Sequence, residues 1–173
     1  MLSIDATATL VGHTCWVERR CFETLGAWVP SVSEPEPKLV LARHSRHHGW
    51  HAELLAEVLP ATRAHDPARL VAPADPGWPD VLAVVAEATA TLDRLVGAYQ
   101  ALLPALVSRY DEVLDRTSRW SDGPVSRRIR LVVDDERSDL AEGLSLLERL
   151  LEDGGIDRAA QRRAAVDRVL AGR

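Results

Sequence analysis

The stretch ARHSRHHGWHAELL, residues 42–55, sets His44, His47, His48 and His51 at separations of three, one and three. Those separations return to one side of a helix. The surrounding stripe reads Val40, His44, His47, His51, Leu54, Val58, with His48 beside it. It predicts a helix over about 38–59, stopped by Pro60. Imidazoles fill the central turns where a packed helix carries leucine. A helix built this way needs polar partners from its neighbours, and the rest of the chain offers them.

Working outward, the N-terminal segment carries Val11, Thr14, Glu18, Cys21, Leu25 and Trp28 on one face, predicting a helix over about 6–28 that Pro30 ends. Pro35 and Pro37 can precede or open the helix that follows. Residues 61–79 hold Pro67, Pro73, Pro76, Gly77 and Pro79 with no period, and read as a long crossover loop. From about 80 to 116 the apolar positions Val81, Val85, Ala88, Leu92, Leu95, Tyr99, Leu102, Leu106, Tyr110 and Val113 predict one long helix, kinked at Pro104. A fourth helix is expected over about 124–151, with Pro124 in its first turn and Val125, Ile129, Val132, Glu136, Asp139, Gly143, Leu146 and Leu150 inward. Gly154 and Gly155 stop it, and about 157–171 reads as a short Arg-rich helix.

Two helical hairpins joined by one long connection make an all-α, up-down-down-up four-helix bundle over about 6–151. The expectation is a single domain spanning 1–173. Its composition, 46% hydrophobic and 27% charged but only 5% aromatic, suits a globular helical chain. The net charge of −5, with signs interspersed and no basic stripe, argues against nucleic acid. No apolar run approaches the ~20 residues of a membrane span, and the first residues lack the charge and apolar core of a signal peptide. Cys15 and Cys21, six apart on one helix, do not face each other. A soluble, reduced, cytoplasmic protein is expected.

Three stripes are interrupted by ionisable residues near mid-helix: Glu18; His44, His47 and His51; and Glu136 with Asp139. Folding the first hairpin about Val32 sets Glu18 level with about position 46, between His44 and His47. Unpaired, such groups cost several kcal/mol, so they must satisfy one another, bind water or bind metal. Neutral histidines with carboxylates form the ligand sets of non-haem iron or catalytic zinc, while protonated histidines would neutralise the same carboxylates.

This layout resembles the ferritin-like superfamily, whose bundles take one Glu from each of two helices and a Glu-x-x-His pair from each of the others for a di-iron or di-manganese centre. Glu18 matches the single Glu of the first helix. His44–His47 and Glu136–Asp139 fall where the two pairs would be, with His at 44 in place of Glu and Asp at 139 in place of His. Leu102, Leu103 and Leu106 occupy the region of the Glu owed by the third helix. The resemblance implies a metal site of Glu18, His44, His47, His51, Glu136 and Asp139 holding one or two ions, iron first, with zinc or manganese open. It implies a non-haem oxidase or oxygenase acting on a small molecule, in a cavity walled by the third helix. The other reading is a non-catalytic bundle whose polar core is a relic and which acts as a homodimer or binds a protein partner, using its Trp residues and third helix.

Overall fold

A computed structural model of the chain describes residues 3–62, 65–73, 77–118, 120–151 and 156–171. It is all-α, with no strand among the described residues.

Helix α1 (Ile4–Trp28) starts where the Ser3 hydroxyl accepts the Ala6 N–H at 3.1 Å, satisfying one of the donors that a helix start leaves free. Pro30, with no N–H to give, ends it in a 3₁₀ turn, Val29–Ser31. Helix α2 (Pro35–Ala56) has Pro35 and Pro37 in its first turn, where missing N–H groups cost nothing. The expected stripe of α1 is buried throughout. That of α2 is rotated: His44, His48 and His51 are buried with Leu41, Ala52 and Leu55, while His47 is half-buried. The two helices pack along their lengths.

The expected loop 61–79 holds a one-turn helix, α3 (Pro67–Leu70), and its end already belongs to α4 (Gly77–Ala86). Leu70 lies so close to α1 that a Cβ on Gly12 would fall 2.2 Å from its carbonyl oxygen. Pro76 lies outside the described residues, as do Gly154 and Gly155.

The single long helix expected over 80–116 is instead broken. After α4 the chain turns at 87–90, then continues as α5 (Thr91–Val96), a π-helical segment (Gly97–Leu102) and α6 (Leu103–Arg116). No Gly or Pro marks that break; tertiary partners hold it. The Arg162 guanidinium donates to the carbonyls of Val84 and Val85, and Arg94 Nε to that of Ala88 at 3.1 Å. Arg94 also stacks 5.9 Å over the Trp28 ring. Where a kink was expected at Pro104, the π-segment directly precedes it. Pro104 has no N–H, its ring crowds the preceding turn, and the Leu103 N–H reaches back five residues to Ala98.

Helix α7 (Gly123–Leu151) buries the expected stripe, with Leu150 partly covered, and packs on α6 and α2. Asp122 ties its start to the rest, accepting from the Ser118 N–H at 2.8 Å and the Thr7 hydroxyl at 3.2 Å. Helix α8 (Ile156–Ala171) lies on α4, α5 and the π-segment. Side chains of α1, α2, α6 and α7 meet around the polar cluster described next.

Candidate metal centre

Glu18 of α1, His48 and His51 of α2, and Glu136 of α7 meet with every side chain at 0% exposure. One donor atom from each lies within 4.8 Å of the other three. His48 Nδ1 stands 2.7 Å from Glu18 Oε2 and 3.0 Å from Glu136 Oε1; His51 Nδ1 stands 3.0 Å from Glu136 Oε1 and 3.7 Å from Glu18 Oε2.

The remaining atoms divide between held and unheld. The Tyr110 hydroxyl of α6 donates to Glu18 Oε1. His51 Nε2 faces Asp135 Oδ2 at 3.3 Å, the outer carboxylate that orients a metal-binding imidazole in many sites. His48 Nε2 and Glu136 Oε2 are buried with no hydrogen-bond partner among the described residues. A hydrogen-bonded network is therefore incomplete here. Each Nδ1 carries at most one hydrogen, yet His48 Nδ1 lies within reach of two carboxylates. Two nitrogen and two oxygen donors at this spacing fit a first-row divalent ion, whose ligands at about 2.0–2.2 Å necessarily lie near one another.

The electrostatics are those of a tightly paired cluster. Burial disfavours the charged form of His51, but hydrogen bonds and charge from Glu136 and Glu18 outweigh it and raise the group to about 10. His48 is likewise raised well above the ordinary imidazole value, against its burial, by the charges of Glu136 and Glu18. Burial pushes the Glu136 carboxyl up, and the charge and hydrogen bonds of His48, with those of His51, overcome it and bring it to about 2. Burial raises Tyr110, and Glu18 and Glu136 add to it, so the phenol stays neutral. Cys21, lifted by burial and then by the same carboxylates, stays a thiol and packs as a small apolar side chain.

A second group lies along α2 and α7 alone, toward the N-terminal end of α2. His44, Asp139 and Glu142 each bring one donor atom within 4.8 Å of the others. His47 joins its edge, with Nδ1 2.8 Å from Asp139 Oδ2. The imidazoles form a row from one group to the other, with ring centroids 6.1 Å apart for His44–His47, 6.4 Å for His47–His51 and 6.2 Å for His48–His51.

Of the residues singled out in the sequence, Glu18, His51 and Glu136 thus come together in one group and His44 and Asp139 in the other. His47 supplies no donor to either set. The expected pairing of Glu18 with His44 and His47 is corrected: Glu18 meets His48 and His51, about one turn further along α2. The hairpin connection and the rotation of α2 about its axis decide this. His48, beside the expected stripe, is the inward residue, and His44, His48 and His51 fall at i, i+4 and i+7, a spacing that marks a single face. Glu142, three residues beyond Asp139, is half-exposed and interrupts no apolar stripe, so the sequence carries no signal for it.

The third-helix leucines expected to wall a substrate cavity are instead packed into the core. Leu102, Leu103 and Leu106 are packed to 1% exposure or less and leave no wall free. A cleft of about 560 Å³ lies between α2 and α7, lined by Arg46, His47, Trp50, Leu131 and Asp135. No helix among the described residues is long and apolar enough to cross a membrane. Compared with known proteins, the chain matches no family model, no curated protein and no solved structure.

Proposed function

We propose that this chain is a metal-binding protein of ferritin-like type, holding a divalent transition-metal ion between Glu18, His48, His51 and Glu136. One observation carries the reading: four fully buried ionisable side chains from three helices put their donor atoms within 4.8 Å, with Glu136 Oε2 left unpartnered. Burying such groups costs several kcal/mol, and an ion at their centre offsets that cost by direct coordination.

The ferritin-like likeness lies in the placement of ligands on α1, α2 and α7. At the third helix the departure is chemical: Tyr110 of α6 reaches Glu18, where the superfamily would supply a Glu. The likeness extends the proposal to iron, which when bound supplies oxygen-dependent oxidation of a small molecule. The chain's own part is to hold the ion, orient His51 through Asp135 and exclude bulk water. A substrate would approach through the α2–α7 cleft.

Elemental analysis after anaerobic Fe(II), Mn(II) or Zn(II) loading tests the reading. Near-stoichiometric metal, lost from this centre in Glu136→Gln and His51→Ala chains that still melt cooperatively, is the expected result. A wild-type chain that retains no metal under any of these conditions sinks it.

The second reading, a metal-free bundle acting as a dimer, has its own support. His48 and His51 are held protonated against their carboxylates, so the cluster balances its own charge. Phe22, Trp50 and Leu131, each more than 40% exposed, would supply the partner face.

A further inference from the structure

The seam between α2 and α7 carries donors that the buried centre does not use. His44 Nε2 lies 3.0 Å from Glu142 Oε2 and 3.3 Å from Asp139 Oδ1. The other atom of each residue is engaged outward, which turns these three toward one another. Asp139 Oδ2 holds His47 Nδ1 at 2.8 Å, Glu142 Oε1 holds the Arg43 guanidinium, and His44 Nδ1 meets the Tyr99 hydroxyl at 2.8 Å. Exposure rises across the group, from 0% for the His44 side chain to 6% for Asp139 and 45% for Glu142. The donors therefore lead from the interior to solvent.

We infer that His44, Asp139 and Glu142 form a second site for a divalent transition-metal ion, reached from solvent, with water filling the rest of its coordination. One imidazole nitrogen and two carboxylate oxygens make a three-donor face, the set that leaves positions open for water or an exchanging ligand. The outer hydrogen bond that orients the imidazole is already in place. With an ion on Nε2, the Nδ1–H donates to the Tyr99 oxygen, and Tyr99 is held by its close fit over Gly143, where an added Cβ would lie 2.2 Å from the ring. Two carboxylates stand against one guanidinium, which selects a cation over an anion. The half-exposed Glu142 opens this site to solvent, so its ion exchanges first. The inference stands on residues outside the buried centre, and either site can hold metal without the other.

The test is anaerobic Co(II) titration of metal-free protein, counting bound metal by elemental analysis after equilibrium dialysis and following the visible Co(II) bands. Two ions per chain are expected in the wild type and one in Asp139→Asn/Glu142→Gln, whose remaining bands belong to the buried centre. Glu136→Gln should keep the seam ion. Tyr99→Phe, which removes only the outer partner, should weaken the seam site by about 10-fold. Equal metal content in the wild type and the Asp139→Asn/Glu142→Gln chain overturns the inference, as does a wild type that holds none. A single ion lost on the seam substitutions and kept in Glu136→Gln upholds the seam and removes the buried centre. If the double variant does not fold, Glu142→Gln alone, at a half-exposed position, gives the same reading as a weakened second binding step.

Discussion

At the scale of single residues, His48, His51 and Glu136 dictate how the centre answers to pH. In the metal-free protein His51 titrates at about 10 and His48 well above its ordinary value, so both carry protons near neutrality. An ion must displace those protons, and its affinity rises with pH. With two protons released, the dissociation constant should fall by up to about 100-fold per pH unit between pH 6 and 8, measured by competition with a chelator of known affinity. A pH-independent constant would mean that the ion does not sit on these imidazoles. The stability of the metal-free fold follows the same groups. The raised histidines contribute fully below their unfolded value of 6.5, and that contribution is lost as pH climbs toward about 10. The depressed Glu136 contributes fully above 4.5 and loses its share as pH falls toward about 2. The network's contribution is therefore greatest between pH 4.5 and 6.5. The gap in Tm between wild type and a Glu136→Leu/His48→Leu/His51→Leu chain, followed across pH, should shift in the wild type's favour within that window.

At the scale of elements, the π-segment and α7 form one device. Pro104 forces the preceding turn off α-helical register, and Tyr99 within that turn lies on Gly143 of α7 with its hydroxyl on His44. Because the ring already fills the space a Cβ needs, Gly143→Ala must push Tyr99 away. Overpacking of this kind costs about 1–3 kcal/mol. Urea denaturation should show that loss, and the seam Co(II) bands should change in the same variant. Gly143→Ala with unchanged stability would mean that the π-segment and α7 slide apart freely, against the close packing seen here. The break between α4 and α5 is a different kind of feature. Arg162 of α8 and Arg94 of α5 take up the carbonyls left open there, so α8 supplies hydrogen bonds to the turn it covers.

At the scale of the whole molecule, the centre joins α1, α2 and α7 directly and α6 through Tyr110, so one ion reports on the packing of all four. Metal at about 1,000 times its dissociation constant should stabilise the fold by roughly 4 kcal/mol. For a chain of this size that is a rise in Tm of about 8–16 °C, read by differential scanning calorimetry. The self-paired bundle predicts no rise with metal and a Tm that depends on protein concentration instead.

Much of this organisation was legible in the chain because it depends on local chemistry. Periodicity located α1, α2, α7 and α8 to within a few residues, prolines marked starts and stops, and Glu18, Glu136 and Asp139 stood out as ionisable groups on apolar faces. Three things were settled only by tertiary structure. Residues i+3 and i+4 lie on either side of residue i, about 60° and 40° away, so spacing alone could not say whether His47 or His48 turns inward. The rotation of α2 between α1 and α7 chose His48. The break after α4 has no Gly or Pro of its own and exists because Arg162 of the distant α8, with Arg94 of α5, holds its carbonyls. Glu142 reads as a surface residue until the fold sets one of its oxygens against His44, since a half-exposed side chain leaves no trace in an apolar stripe. Local sequence determined which helices form and which polar groups they carry inward; the packing of one helix against another decided which of those groups share a site.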